Sequence, residues 1–407
     1  MSFARMLAAA ATRGHVLGAG EEGDILLGGQ RTAAGETVNE ETALKVSAVY
    51  ACVTLISSCV RLMEAEVKQD TGDGILRNDR ASSLWRLLCE KPNPEMAAGD
   101  LWEWVAKCLL LRGNAYLYLM RDRLGRVQYL WPLNPRRVYV RRDLITRQKV
   151  FEVFAPDDFE RVEFSGTSTE ILHIKGFDSG ALVGKSVIFH QRETIGRALR
   201  EDRHAAQTLK NNARPSGILK VKKKLDKERA ERLAASWQGA HGGGKSGGTA
   251  VLEEDVDWEA VTMSAADLEL IAQREISRED VAMAFQVPSD MVAAGKVSNN
   301  LHYSSDASRD LRLVKYGAMP WTNRIQGALE ICEMLPWNYG VVGGRRVIRF
   351  DPKSLTLADI KTRFEAYEKA KWWMAVDEVR NEENLEPIGS AYAQPPSPVE
   401  KAPKAVA

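Results

Sequence analysis

LLCEKPNPEMAAGDLWEWVAKCLLLRGNAYLYLMRDRLGRVQYLWPLNPRRVYV, residues 87–140, decides the fold class. Pro92 and Pro94 stop the short helix that runs into this stretch, because proline supplies no N–H and clashes with the preceding turn. A second helix follows, with Asp100 as its N-cap and Gly113 at its end. After Gly113 the period changes from about 3.6 to 2: NAYLYLMRD, the turn RLGR, and VQYLWPL alternate as a β-hairpin. RRVYVRRD, QKVFEVFA and EILHIKG continue the strand series, so the first half of the chain reads as α+β, helices followed by an antiparallel meander.

Upstream, Leu44, Val49, Val53, Ile56 and Val60 recur at helical spacing and predict an amphipathic helix over 41–63, with a strand at EAEVKQD behind it. Residues 1–36 are rich in Gly, Ala and Thr and read as a flexible arm. Downstream the texture is helical. Ile188, Ile195, Leu199 and Leu209 mark one long helix over 186–213, ended by Pro215. A small module follows: strand GILKV, helix DKERAERLAASWQ, a glycine-rich loop, strand TAVLEED. A second long helix spans 265–285 and a third runs from about Tyr303 to Leu335, kinked at Pro320. Strand RRVIRFD, a last helix over 357–380 and a Pro-rich disordered tail complete the chain.

The 407 residues are 44% hydrophobic and 27% charged, ordinary values for packed domains, and no run of 18 apolar residues offers a membrane span. The net charge of +1 makes the chain no polycation, so any electrostatic role falls to local patches. Cys52, Cys59, Cys89, Cys108 and Cys332 are scattered and odd in number, which predicts reduced thiols of a cytoplasmic protein.

Gly239 to Ser246, within GAHGGGKSGG, fits the phosphate-loop pattern G-x-x-x-x-G-K-[ST] letter for letter. A working loop needs a buried strand before it and a helix starting at Lys245–Ser246. Here the flanks are reversed, helix before and strand after, and glycine and serine crowd the pattern. A nucleotide-hydrolysing reading of 239–246 is therefore the weaker one, and a linker loop the stronger. His15, His173, His190, His204, His241 and His302 have no metal-ligand spacing; His173 reads as a strand-end residue, His190 and His204 as solvated helix positions. Neither H-E-x-x-H nor G-x-S-x-G occurs, so no catalytic, cofactor or metal residues are assigned.

Charge is segregated in the middle. Arg192 to Lys224 holds ten basic and three acidic residues, whereas Glu253 to Asp280 holds ten acidic and two basic. Two antiparallel helices pairing with each other or with a neighbouring subunit are the simpler reading. A nucleic-acid surface on KVKKK, even as a monomeric adaptor, is the alternative.

The order of these features resembles the HK97-type phage portal proteins, over about residues 40–388. AVYACVTLISSCVRLM resembles the family's first helix, and the 87–140 block its Pro-Asn-Pro stop, helix, Gly-Asn-Ala-Tyr and Asp-x-x-Gly hairpin. ILHIKGFDSGALVGKSVI, NNARPSGIL and SREDVAMAFQVPSDMV follow in family order; KVSNNLHYSSDASRD matches only partly. The resemblance implies an arm (1–36), a wing (37–185), stem helices (186–215 and 263–286), and between them a small α/β clip (216–262). It further implies a tunnel loop (287–302), a kinked long helix with a return wing strand (303–356), crown helices (357–388) and a tail (389–407). It implies no enzyme and no cofactor, but a ring, typically of twelve, at a capsid vertex of a phage, prophage or gene transfer agent particle, assembled in the bacterial host cytoplasm. Double-stranded DNA would pass through it. Terminase, head-completion proteins, the major capsid protein and scaffold would be partners. Lys220, Lys222, Lys223, Lys224 and Lys245 would be the clip's basic candidates, and Val287, Pro288, Lys296, Asn299, Asn300 and His302 those of the tunnel loop.

Overall fold

The computed structural model describes residues 30–70, 76–155, 161–177, 180–210, 217–221, 228, 231–232, 256–260, 265–292, 304–332, 346–356 and most of 360–389. The first described element is a hairpin, β1 (Gln30–Arg31) and β2 (Thr37–Val38), so the flexible arm expected over 1–36 does not extend over 30–36. Helix α1 (Ser47–Leu62) buries Val49, Cys52, Val53, Ile56 and Val60 at the predicted spacing. Its expected first turn is separate: Glu40–Ala43 is a short helix capped by Asn39, and Val46 then turns the backbone extended.

Strands β3 (Glu64–Asp70) and β4 (Leu76–Asn78) follow. Helix α2 (Ala98–Arg112) starts two residues before the expected cap. Ala97 occupies the cap position without a side-chain bond, and Asp100 instead sits in the first turn, 2.9 Å from Arg61 on α1. Negative charge there suits the helix dipole even when it caps nothing. Close contact with α1, where Gly99 meets the Arg61 carbonyl, carries the early start. Fully burying an Ile or Leu between α1 and α2 contributes roughly 2 kcal/mol, against well under 1 kcal/mol for an exposed ion pair. Packing, not the Arg61 pairing, holds the two helices together.

Beyond Gly113 come β5 (Asn114–Arg121), β6 (Val127–Leu133), β7 (Val138–Arg142), β8 (Lys149–Phe154), β9 (Val162–Thr167) and β10 (Ile171–Lys175), all paired antiparallel. They form two three-stranded sheets, β10-β5-β6 and β7-β8-β9. β5 is apolar on both faces because both are covered. Ala115, Leu117 and Leu119 join the core of α1 and α2, whereas Tyr116 faces β7-β8-β9 with Phe151, Val140 and Val153.

A single turn, Val187–His190, precedes α3 (Arg192–Lys210), where one uninterrupted helix was expected. The chain continues with β11 (Gly217–Val221), β12 (Val256–Ala260), which pairs with it, and α4 (Ala265–Ala284). The third long helix is composite: α5 (Ser304–Arg312), a π-turn (Leu313–Ala318) and α6 (Met319–Ile331). Pro320 has no N–H to offer the preceding turn, and the Met319 N–H reaches back five residues to the Val314 carbonyl. Strand β13 (Arg346–Asp351) returns to pair with β3. The last helix expected is two, α7 (Ile360–Ala370) and α8 (Val376–Glu382). The second starts afresh at Ala375, whose N–H donates to Glu378.

Candidate functional site

The helix pair α3–α4 and its attachment to the antiparallel sheets are the parts that the sequence marks for function. Arg197 on α3 meets Asp280 on α4 at 2.5 Å, and Arg274 on α4 meets Asp202 on α3 at 2.8 Å. As numbers rise on one helix they fall on the other, so the pair is antiparallel. Each helix supplies one cation and one anion. The two helices pair with each other, as the simpler reading expects, although only Arg197–Asp280 follows the segregation of charge and Arg274–Asp202 runs against it. Exposed pairs of this kind contribute about 0.5 kcal/mol each; their use is to fix register.

The chain passes from the antiparallel sheets to α3 through a close backbone contact. Gly113 ends α2 in the left-handed region (φ +73), and its carbonyl accepts the Gly176 N–H at 2.7 Å. A Cβ there would lie 2.3 Å from the Lys185 carbonyl carbon, so two backbones touch where only glycine fits. Asn114, buried, spends its amide on the same place. Its Nδ2 donates to the Gly184 carbonyl (2.7 Å), and its Oδ1 accepts the Gly184 N–H (2.8 Å). Oδ1 also lies 2.9 Å from His173 Nε2. Since Oδ1 only accepts, Nε2 carries the proton, and His173 is the neutral Nε2–H tautomer with a buried, unbonded Nδ1. Arg324 on α6 closes this contact by donating to the Gly176 carbonyl (2.6 Å), its guanidinium stacked over Phe177 and Trp321. Ser186 then caps the turn that starts toward α3, its Oγ accepting the Phe189 N–H.

His173 lies inside β10, facing the layer between the sheets, not at a strand end. Its ring stacks on Tyr116 and meets Phe151 edge-on. Burial pushes its pKa well below 6.5, helped by the charges of Lys149 and Lys175. A base held neutral in the fold contributes stability that is fully present above about pH 6.5 and is lost as pH falls, because the unfolded chain takes up a proton that the fold refuses. Wild-type protein should lose up to about 1.4 kcal/mol per pH unit from this group below pH 6.5. His173→Gln, which keeps an N–H for Asn114, should remove that slope in urea melts at pH 7 and 5. Identical slopes would discard the assignment. His190 and His204 are both exposed, as expected of solvated helix positions, and the His190 ring also meets Phe177 and Phe189 edge-on.

The predicted site residues divide. Lys220 falls in β11, in register with Asp257 of β12. Lys222, Lys223, Lys224 and Lys245 lie outside the described residues, as does the phosphate-loop stretch 239–248. Val287 is core rather than loop: it is buried, and its N–H donates to the Ala282 carbonyl after Gln286 turns left-handed (φ 58). Pro288 begins the helical turn Ser289–Val292, and Asp290 in that turn pairs with Arg309 of α5 at 2.8 Å. Lys296, Asn299, Asn300 and His302 lie outside the described residues. Sequence reasoning missed the roles of Asn114, Arg324 and Gly184, although Gly-Asn-Ala-Tyr drew notice; their partners lie 59 or more residues away.

Thiol chemistry is disfavoured. All five cysteines are free, and burial pushes the Cys52 thiol up to about 12 and Cys59 to about 11. Among the described residues no cluster of His, Cys, Asp and Glu suits a metal, and no helix is long and apolar enough to cross a membrane.

The antiparallel sheets thus pass the chain through a close backbone contact at Gly113, Gly176 and Gly184 to an antiparallel helix pair. Residues 47–384 match the family described as Phage portal protein, and the chain belongs to that family, in its HK97-type branch. It is 27% identical over 384 residues to the probable portal protein of Streptomyces phage phiC31, covering 90% of this chain and 81% of the other. It is also 27% identical over 297 residues to the portal protein of Enterobacteria phage HK97 (72% and 68%). In fold it is similar to a chain in the neck of a native gene transfer agent particle, computed with C12 symmetry: TM-score 0.57, 19% identity, 84% of this chain and 90% of that one. The chain is a structural component of a virion vertex through which DNA is packaged and ejected.

Proposed function

We propose that twelve copies form a closed ring in which α3 and α4 are the stem, β11 and β12 with the residues between them the clip, and α7 and α8 a short crown. The observation that supports this reading most directly is the reciprocal Arg197–Asp280 and Arg274–Asp202 pairing. It makes one stiff two-helix unit per subunit, suited to stand beside identical units around a channel. The C12 symmetry of the gene transfer agent neck supports the number. Terminase docks at the clip during packaging and head-completion proteins replace it there; scaffold and the major capsid protein hold the wing. Lys220, Lys222, Lys223, Lys224 and Lys245 meet DNA or terminase through non-specific phosphate or carboxylate contacts. Lys296, Asn299, Asn300 and His302 are the tunnel-loop candidates within 287–302, and the Asp290–Arg309 pair ties the turn that leads into that stretch to α5.

Native mass measurement with particle images tests the reading. Twelve chains of 45.2 kDa give a particle of roughly 540 kDa with a central hole. A chain that stays monomeric even when co-expressed with its capsid and scaffold proteins would overturn it.

A further inference from the structure

Helix α1 begins without a cap of its own. Val46 holds the cap position with no side-chain bond, and no acidic residue stands in the first turn. The first N–H groups of a helix have no intrahelical partner, so a buried start must find acceptors elsewhere. Ala48 is 2% exposed, and its N–H meets no acceptor among the described residues. A buried amide left in that state costs about as much as a lost hydrogen bond.

Two other helices bring chemistry to this point. Residues three and four apart share one helix face. Glu201 and Asp202 of α3 and Arg274, Ser277 and Arg278 of α4 accordingly line one cleft against residues 46–48. Asp202 and Arg274 neutralise each other at 2.8 Å. Ser277 is 4% exposed, and its hydroxyl has no hydrogen-bond partner among the described residues. Glu201 is mostly buried, and Arg197, the cation beside it, stands 3.9 Å away. A main-chain donor, a hydroxyl and a carboxylate thus meet at one cleft with hydrogen-bonding capacity unspent.

The cleft has about 20 Å³ of room for a water-sized body, and one buried water needs about 10–15 Å³ on that measure. Chemistry selects among occupants of this size. A cation would face the Ala48 N–H and Arg278. An anion would face Glu201. A water accepts from the Ala48 N–H, donates to the Glu201 carboxylate and shares a third bond with the Ser277 hydroxyl, which uses all three groups.

We propose that one ordered water binds in this cleft and caps α1, tying its first turn to α3 and α4 in place of a side chain. Valine at 46 gives packing, being 4% exposed, where serine, threonine, aspartate or asparagine would give an acceptor. The inference concerns a single chain and stands apart from the number of copies in the ring.

A structure of the full chain at a resolution that shows ordered waters, with a second crystal soaked in bromide, tests this. The expected result is a peak within about 3.2 Å of the Ala48 nitrogen, Ser277 Oγ and a Glu201 carboxylate oxygen, with no anomalous signal from bromide. Val46→Ser brings its own Oγ to the Ala48 N–H and should lose the peak. Ser277→Val, which offers no hydrogen-bond partner, should lose it as well. A bromide signal would assign the cleft to an anion. A Glu201 carboxylate bonded directly to the Ala48 N–H would make α3 itself the cap. Either result would overturn the proposal, as would a peak that survives in both variants or is missing from the wild type.

Discussion

Gly113→Ala should destabilise the wing by roughly 4 kcal/mol, enough to abolish well-ordered protein in a marginally stable domain. Two costs combine. An alanine at φ +73 pays about 1–2 kcal/mol for the left-handed conformation. Its Cβ would also stand 2.3 Å from the Lys185 carbonyl carbon and 2.6 Å from the Ser186 nitrogen. Those are main-chain atoms with no rotamer to yield, so either the α2–β5 junction or the approach to α3 must shift, and the Gly176–Gly113 hydrogen bond goes with it. Gly125→Ala is the matched control: its φ is +77, but nothing lies within 4 Å of the added carbon. It should cost only the conformational share, about 1–2 kcal/mol. Thermal or urea melts of the two variants compare the terms directly. Equal losses would mean that the close approach of the backbones carries no energy.

Asn114→Ala should cost about 3–5 kcal/mol, far more than a typical polar-to-alanine change. It strands three buried groups at once: the Gly184 N–H, the Gly184 carbonyl and the His173 Nε2–H. Asn114→Asp separates the roles. A carboxylate still accepts from Gly184 and His173 but faces the Gly184 carbonyl with no donor. It also places a negative charge on the imidazole, which raises the His173 pKa and so reverses the sign of that residue's pH dependence. Melts of the Asp variant across pH 5–7.5 should show stability gained, not lost, toward acid. A profile unchanged from wild type would break the link between the two side chains.

Much of the fold was legible because it depends on near neighbours. The 3.6 period of Val49, Val53, Ile56 and Val60 gives α1, Gly113 stops α2, and the alternation around Asp122–Arg126 gives the β5–β6 hairpin. What escaped depends on distant partners. Thr32 packs against Gly196, and Glu36 meets Arg203 at 2.7 Å, contacts that make a docked hairpin of a stretch whose composition predicts a loose arm. Asp100 has the chemistry of a cap, but the helix starts at Ala98 where Gly99 packs close to α1, so it falls in the first turn. Val287 belongs by sequence to a loop and by packing to the core. His173 reads as one polar residue at the end of a strand; only the sheet partner Asn114 shows why it is buried and neutral. The helix pair was foreseeable from charge segregation, but which arginine meets which aspartate required the register.

The backbone contact at Gly113, Gly176 and Gly184 also sets how the subunit transmits force. Side-chain contacts between elements behave as springs, since rotamers can change before the main chain moves. Here the path from α3 to the wing runs through touching backbones and an amide clamp on the Gly184 peptide. A displacement of the chain entering α3 would therefore bear directly on the end of α2, main chain against main chain. Compliance in the subunit is left to the other end of the pair, where α4 passes through the left-handed Gln286 into the Ser289–Val292 turn.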